Sequence, residues 1–258
     1  QSIFGCVGCG HCMAICPAGA IQVRGRSLVP EDMFSLPPRE GAADFAGLHA
    51  LLQRRRSVRE FLPEPVAQEQ IQAILDAART APTGVPPSDV NVLVLDSLEK
   101  NRAFVRDFCE HLKTLRWLTA PWFLTLMRPF WGRANHELFS NFVRPALAAF
   151  TASMDAGRNI VTYDAPLLMY FYASPWADPA DPVVAATLAM LAGEAQGLGT
   201  CMIGSIHPLI QWGGSAARFR QQYGIVHKSR EGLVVLFGRP RVHYTRGIER
   251  SFASVTRP

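Results

Sequence analysis

The sequence of 258 residues lacks the features that mark membrane, secreted and disordered proteins. It has no uninterrupted apolar run of about 18 residues, which a membrane-spanning helix needs. It also has no basic region followed by an apolar run near its start, which a secretory signal needs. Charged residues make up only 18% of the chain and hydrophobic residues 48%, which excludes a disordered chain. These absences predict a cytoplasmic protein with no membrane span and a substantial hydrophobic core.

A strong excess of charge of one sign is also lacking. The chain has 26 Lys and Arg residues against 21 Asp and Glu residues, so its net charge is +5. Because basic and aromatic residues are not interleaved, this excess does not indicate a nucleic-acid partner. It would suit docking of an acidic electron carrier. The seven histidines show no H-x₃-H or HExxH spacing, so they predict no metal site.

Four cysteines are crowded near the start of the chain. Cys6, Cys9, Cys12 and Cys16 are followed at once by Pro17, which is the C-x₂-C-x₂-C-x₃-C-P spacing of a bacterial [4Fe–4S] ferredoxin segment. A structural zinc site usually takes its cysteines from two separated pairs, and such short intervals make poor disulfides. The motif therefore predicts an iron–sulfur cluster with these four cysteines as its ligands.

The number of clusters stays open at this point. In two-cluster ferredoxins the fourth cysteine of each run ligates the other cluster. Cys16 therefore either completes a single cluster or serves a second one. The ligands of a second cluster would lie upstream of Gln1, since the chain does not begin with Met. A remote ligand, Cys109 or Cys201, is less favoured, because the apolar neighbours of Cys109 recur at helical spacing and predict a buried thiol.

A Pro- and Gly-rich stretch over residues 35–41 separates the cysteines from the rest of the chain. It predicts a ferredoxin-like segment over residues 1–40 and a larger domain over residues 41–258. Within the first segment, Ala20–Val23 is predicted to be a short strand that ends before Gly25.

Hydrophobic patterns in the larger domain predict helices alternating with buried strands. Apolar residues at helical spacing predict helices over Val66–Arg79 and Val183–Gln196, with Glu194 of the second expected to point to solvent. Continuous apolar runs predict buried strands over residues 91–95, 167–172 and 233–237. Together they indicate a layered α+β or α/β domain. Residues 116–160, rich in Trp, Phe and Arg, either cover an active site or form a peripheral helical insertion.

A basic run, Arg54-Arg-Arg-Ser-Val-Arg59, is the second informative segment. Most basic runs are solvated surfaces, but this one contains the hydroxyl of Ser57 and returns promptly to apolar sequence at Phe61. Guanidinium groups bind phosphate through paired charge-assisted hydrogen bonds. The run therefore predicts a site for a phosphorylated cofactor.

Several motifs, in order along the chain, resemble those of the nitroreductase family of FMN-dependent oxidoreductases. The resemblance is to the branch that carries an N-terminal [4Fe–4S] ferredoxin segment, and it covers nearly the whole chain. The motifs are Arg55-Arg-Ser-Val-Arg59, Ala81-Pro-Thr-Gly84, Gly197-Leu-Gly-Thr-Cys-Met-Ile-Gly-Ser205 and Gly238-Arg-Pro240. One departure is Pro86-Pro-Ser-Asp-Val90, where many relatives carry Asn-x-Gln-Pro-Trp. The amides of that Asn and Gln usually help to bind the flavin or frame the substrate.

The resemblance implies an α+β fold with a central mixed sheet flanked by helices, and an FMN site in a homodimer. It implies that the FMN phosphate and ribityl chain contact Arg55, Arg56, Ser57 and Arg59, with Arg250 or Arg246 as a distal arginine. It implies that the flavin ring contacts Pro82, Thr83, Ile203, Gly204 and Ser205. The sequence singles out no catalytic side chain, so the chemistry would be that of flavin N5.

The combined prediction is an oxidoreductase with FMN and a [4Fe–4S] cluster. Electrons would pass from a low-potential donor of the ferredoxin type through the cluster to FMN, and then to a small electron-poor acceptor of the nitro, quinone or enone type. Two alternatives stay open: an FMN dehydrogenase running in the opposite direction, and an electron-transfer subunit that relays charge to a partner protein.

Overall fold

A helix-flanked sheet forms the centre of the protein. The computed structural model describes residues 5–25, 28–84 and 88–257. Its helices are α1 (His11–Ala14), α2 (Phe45–Arg54), α3 (Gln68–Ala78), α4 (Leu98–Thr114), α5 (Pro121–Leu138), α6 (Arg144–Asp155), α7 (Asp181–Ala195), α8 (Ile206–Leu209) and α9 (Gly214–Gln222). Its strands are β1 (Val90–Leu95), β2 (Leu167–Ala173), β3 (Gly199–Ile203) and β4 (Gly232–Gly238).

The sheet is antiparallel, so the expectation of a mixed sheet was wrong. The strand order is β1-β2-β4-β3, and each neighbouring pair among these described strands is antiparallel. The reason is visible between β1 and β2, where Leu95 at the end of β1 pairs with Leu168 at the start of β2. The intervening helices thus return the chain to the end of the sheet that it left, and β2 runs back. An isolated bridge between Ser57, which lies outside the described strands, and Thr200 of β3 is parallel.

The pleat of β2 divides the core between the two faces of the sheet. Its buried residues Leu168, Tyr170 and Tyr172 point to a cluster that contains Phe104, Phe108 and Leu112 of α4. The alternate residues Leu167, Met169 and Phe171 point to a second cluster with Ile74 of α3 and Ala186 and Ala189 of α7. This alternation follows from the two-residue period of a strand, and it buries all of β2. The three predicted strands are confirmed, and β2 and nearly all of β4 are buried as expected. The burial expected for the first strand was wrong: only Leu95 of β1 is buried, and its other residues are half-buried.

The two predicted helices are confirmed as α3 and α7. Ile71, Ile74 and Ala78 form the buried face of α3. Helix α7 approaches the sheet closely because Gly193 has no side chain there. A Cβ at Gly193 would lie 2.7 Å from Cδ1 of Phe237 in β4. This contact brings the end of α7 against the sheet, directly before β3 begins.

The segment rich in Trp, Phe and Arg is helical. Helices α5 and α6 are joined by a π-helical turn at Phe139–Val143, and α6 packs on α4. Only a few of their side chains reach the interior, among them Leu124 and Leu147, while Trp122 and Phe130 are exposed. None of the helices in the described ranges has the length and apolar character needed to cross a membrane.

The short strand expected at Ala20–Val23 does not form, and that prediction was wrong. The backbone N–H groups of this stretch are directed at sulfur atoms instead of at a neighbouring strand. The Val23 N–H donates to Met13 Sδ at 3.0 Å, and those of Ala20 and Ile21 hydrogen-bond to the Cys16 thiol. Just after this stretch, Gly25 and Leu28 form an isolated antiparallel bridge.

Candidate active site

The arginine run is held along the edge strand β3. The Val58 N–H donates to the Thr200 carbonyl at 2.8 Å, which places Ser57 beside Thr200. Val58 lies against Gly199, where an added Cβ would be 2.7 Å from Val58 Cγ2. Glycine at this position therefore lets the backbone of the arginine run approach β3 closely.

We expect Gly199→Ala to destabilise the protein and to weaken cofactor retention. The new methyl group would collide with Val58, whose β-branched side chain is stiff, so the arginine run must move. Overpacking of this kind lowers the free energy of unfolding by about 1–3 kcal/mol. Urea unfolding followed by circular dichroism measures this change. The matched control is Gly214→Ala, where nothing lies within 4 Å of the added Cβ. An equal effect of both substitutions would contradict the close approach.

Five arginines converge on one cavity, which we call the arginine cavity. It measures about 850 Å³ and lies between the end of α2 and residues 244–250. Its arginines are Arg54, Arg55, Arg56, Arg246 and Arg250. The Arg56 guanidinium donates to the Arg55 carbonyl at 2.9 Å. None of the ion pairs between described residues involves these arginines, so their charge is available to an anion.

A carboxyl group lies behind the arginine run, contrary to expectation. Glu194 was predicted to point to solvent, but it is half-buried and accepts a hydrogen bond from the Thr200 hydroxyl at 2.5 Å. Burial raises the pKa of Glu194, and the Thr200 hydroxyl and the charge of Arg55 oppose that rise. The prediction was wrong because the periodicity of an apolar helix does not show that the neighbouring strand supplies a hydroxyl.

Arg59 leaves the arginine cavity, although it belongs to the same run. It lines a second cavity of about 340 Å³, together with Arg102, Tyr163 and Asp164. Its guanidinium carbon lies 5.8 Å from the centroid of the Tyr163 ring. In this arrangement Arg59 is separated from Arg55 and Arg56, with which the sequence had grouped it.

The residues predicted to contact a flavin ring lie in two further places. The turn with Pro82 and Thr83 leads to Gly84, whose N–H donates to the Asp181 carboxylate at the start of α7 at 2.9 Å. Gly204, with Ile203 and Ser205 beside it, lines another cavity together with His207 and Trp212. Among the described residues, those that line the cavity of Gly204 and those that line the arginine cavity are separate sets.

The departure after Gly84 falls partly outside the described residues, which omit Val85, Pro86 and Pro87. Asp89 is half-buried and accepts a hydrogen bond from the Ser174 hydroxyl. Ser88 is exposed, and its hydroxyl oxygen accepts a hydrogen bond from the Val90 N–H at 3.3 Å.

The four clustered cysteines lie in an exposed loop around α1. Cys6, Cys9 and Cys12 are exposed and Cys16 is half-buried. Gly8 and Gly10 both have φ of +72°, a conformation that glycine adopts readily and that turns the loop around its thiols. Hydrogen bonds from backbone N–H groups, that of Ala20 above all, lower the pKa of the Cys16 thiol. Across the described parts of the chain, no three His, Cys, Asp or Glu side chains come together to hold a metal ion.

The two remaining cysteines are buried in the larger domain. Cys109 belongs to the core, as predicted, and burial raises the pKa of its thiol to about 11. Burial also raises the pKa of Cys201, while Arg59, Ser57 and Arg55 oppose the rise.

Sequence reasoning missed a buried hydrogen-bonded network beneath the sheet. The Tyr170 hydroxyl and His207 Nδ1 are 2.8 Å apart, and Gln211 Nε2 donates to the same hydroxyl at 3.2 Å. The signal was present, since a tyrosine in the middle of a fully buried strand needs a partner for its hydroxyl. Its partner could not be identified, because His207 lies 37 residues away in the sequence.

An antiparallel sheet covered on both faces by helices, with unpaired arginines beside its edge strand, defines an α+β protein with a cationic cavity. Residues 52–239, which make up most of the chain, match the model of the nitroreductase family. The chain therefore belongs to the nitroreductase family. No curated protein matches it in sequence.

Solved structures with the same fold come from several bacteria. A nitroreductase with bound FMN from Desulfitobacterium hafniense DCB-2 is 19% identical, with a TM-score of 0.55 over 81% of this chain and 97% of that chain. A nitroreductase with bound FMN from Bacteroides fragilis NCTC 9343 is 15% identical, with a TM-score of 0.56 over 81% and 98%. A BluB-like flavoprotein from Clostridium difficile 630 is 14% identical, with a TM-score of 0.53 over 79% and 94%.

Proposed function

We propose that the protein is an FMN-dependent oxidoreductase that reduces a small electron-poor acceptor. The observation that carries this proposal is the arginine cavity, in which five unpaired guanidinium groups face a space large enough for a nucleotide-sized anion. Membership of the nitroreductase family and the FMN-bound relatives of the same fold support the choice of FMN.

Arg55 and Arg56 would hold the FMN phosphate, with Arg246 and Arg250 closing on it from the C-terminal segment. The hydroxyl of Ser57, fixed beside β3, would bind the ribityl chain. When bound, FMN supplies one-electron or two-electron chemistry and can deliver a hydride equivalent from N5. Reduction of a nitro acceptor to the nitroso level consumes two electrons and two protons and releases one water molecule.

A homodimer is part of this proposal, because one chain leaves the predicted flavin contacts in separate places. Helix α2 has no buried residue, and Phe45 at its start is 78% exposed. The C-terminal segment also exposes large apolar side chains, with Ile248 at 71% and Phe252 at 85%. Such surfaces are typical of an interface between subunits. A second copy would cover them and bring further residues to the arginine cavity.

The cysteine loop is proposed to bind the iron–sulfur cluster, with Cys6, Cys9, Cys12 and Cys16 as ligands. The donor set and its spacing fit a [4Fe–4S] cluster, and the backbone N–H groups around the Cys16 thiol suit a thiolate ligand. The cluster would transfer single electrons from a ferredoxin-type donor. The boundary near residue 40 belongs to the same proposal, and the match to the nitroreductase family begins after it. One cluster or two is decided by iron content.

Cofactor content after anaerobic purification tests both parts of this proposal. We expect one FMN per chain and about four iron and four sulfide ions for each cluster. Cys9→Ser combined with Cys12→Ser should remove about four iron ions, those of the cluster that these two cysteines ligate, and leave FMN bound, because the arginine cavity is formed by other segments. Turnover of a nitroaromatic compound with a chemical reductant should persist in this variant, while turnover with reduced ferredoxin should be lost.

The matched control is Cys109→Ser, which removes a thiol outside the loop. A serine hydroxyl can replace the weak hydrogen bond from Cys109 Sγ to the Phe150 carbonyl. This variant should retain both iron and FMN. Wild-type protein without iron after anaerobic reconstitution would refute the cluster, whereas protein that binds no FMN would refute the flavin assignment.

A further inference from the structure

A cavity of about 610 Å³ shares no lining residue with the arginine cavity, and we call it the His207 cavity. It is bounded by Gly204, by His207 of α8, by Trp212 and by the start of β4 at Leu233. Its volume is within the range of small-molecule sites, roughly 300–1,000 Å³. Gly204 also belongs to the residues that the family resemblance assigns to the flavin ring, so the cavity adjoins the proposed flavin site.

The floor of the His207 cavity is polar but closed. His207 Nδ1 is bonded to the Tyr170 hydroxyl, and the ring also hydrogen-bonds to the backbone of Arg230. The side-chain oxygen Oε1 of Gln211 accepts from the Ser229 N–H at 3.1 Å. These polar groups are buried and already partnered. These floor residues therefore offer a ligand no unpartnered donor or acceptor. The walls of the cavity are apolar and are formed by Pro175, Val183, Pro208 and Leu233.

The rim of the cavity carries positive charge. The Lys228 ammonium lies 3.1 Å from the centroid of the Trp212 ring, a cation–π contact that holds the charge at the entrance. Arg230 lines the same rim. Neither cation forms an ion pair with any residue in the described ranges, and Glu231 is the one acidic residue of the lining. The indole of Trp212 is 69% exposed and offers a flat apolar surface beside these charges.

We propose that the His207 cavity binds the acceptor, and that the acceptor is an electron-poor aromatic carboxylate. The aromatic ring would lie on the apolar walls next to Gly204, and the carboxylate would pair with Lys228 and Arg230 at the rim. This assignment follows from the division of the cavity into an apolar interior without free polar groups and a cationic entrance. That the bound compound is reduced rests on the proposed function; the binding site itself rests on the cavity.

The test compares 4-nitrobenzoate with nitrobenzene on the FMN-loaded protein. Binding is measured by calorimetry and by quenching of tryptophan fluorescence, and turnover with a chemical reductant gives KM and kcat. In Lys228→Met the Kd and KM for 4-nitrobenzoate should rise about tenfold, which is the loss of one charge-assisted hydrogen bond. The values for nitrobenzene should stay within about twofold, because it has no carboxylate to pair. The matched control, Lys100→Met, removes the same charge from an exposed lysine at the start of α4.

The outcomes separate the two proposals. If Lys228→Met leaves 4-nitrobenzoate binding unchanged, or if Lys100→Met weakens it equally, the His207 cavity is not the acceptor site, whatever the activity. If 4-nitrobenzoate binds in a Lys228-dependent manner but neither compound is reduced, the binding site stands and the proposed function fails. Equal losses for 4-nitrobenzoate and nitrobenzene in Lys228→Met would overturn the carboxylate assignment.

Discussion

Replacing Arg55 and Arg56 together by alanine should give a folded protein that no longer retains FMN. Both guanidinium groups line the arginine cavity, and no ion pair in the described part of the chain neutralises them. A hydrogen bond to a charged group contributes about 1.5–3 kcal/mol, and each 1.4 kcal/mol is a factor of ten in Kd. Loss of two such interactions should therefore raise the Kd for FMN by at least about 100-fold. Titration of the apoprotein, followed by quenching of flavin fluorescence, measures this change.

The control for this experiment removes two arginines that lie elsewhere. Arg128 and Arg133 are exposed on α5, and Arg133 is paired with Glu137. Their double replacement by alanine changes the net charge equally and should leave the Kd for FMN within about twofold. Arg59→Ala gives a further comparison, because Arg59 lines the neighbouring cavity. If Arg59→Ala alone abolishes FMN binding and the Arg55 and Arg56 variant does not, the phosphate site lies in that second cavity.

The strands of the core could be predicted because burial on both faces leaves an unambiguous pattern. Residues 167–172 are continuously apolar, and the structure buries every residue of β2. Strand β3 was not predicted, because it begins with Gly199 and Thr200 and so lacks a continuous apolar run over its length. Its strand conformation depends on pairing with β4, which no local pattern reveals. The antiparallel direction of the strands was not predicted either, because it depends on the end of the sheet to which the helical connections return the chain.

The composition of the candidate site could be predicted better than its geometry. The run from Arg54 to Arg59 identified the basic residues, and Arg246 and Arg250 were suggested by the family resemblance. Local sequence does not fix the direction of a long side chain, so the departure of Arg59 toward Tyr163 could not be foreseen. The His207 cavity could not be predicted from the sequence either. Its lining residues come from separate segments, namely Gly204 after β3, His207 of α8 and the loop before β4.

Phe104→Ala should cause the largest loss of stability among the substitutions considered. Phe104 of α4 is fully buried, and its ring makes edge contacts with Phe219 at 5.1 Å and Tyr223 at 4.8 Å. These contacts join α4 to α9 over the face of the sheet that carries Tyr170. Removing a buried phenyl ring costs its transfer free energy and leaves a cavity, in total about 3–5 kcal/mol. That is a large share of the about 5–15 kcal/mol that stabilises a typical domain.

Urea unfolding at one fixed protein concentration measures the effect of Phe104→Ala, because association between copies would otherwise shift the midpoint. Phe130→Ala is the matched control: this ring is 79% exposed on α5, and its removal should change the free energy of unfolding by no more than about 0.5 kcal/mol. If the alanine variant does not fold, Phe104→Leu keeps much of the volume and should show a smaller loss in the same direction. Similar values for the variants at 104 and 130 would mean that α4 and α9 do not share a core. Because Phe104 lines neither the arginine cavity nor the His207 cavity, folded Phe104 variants should still bind FMN.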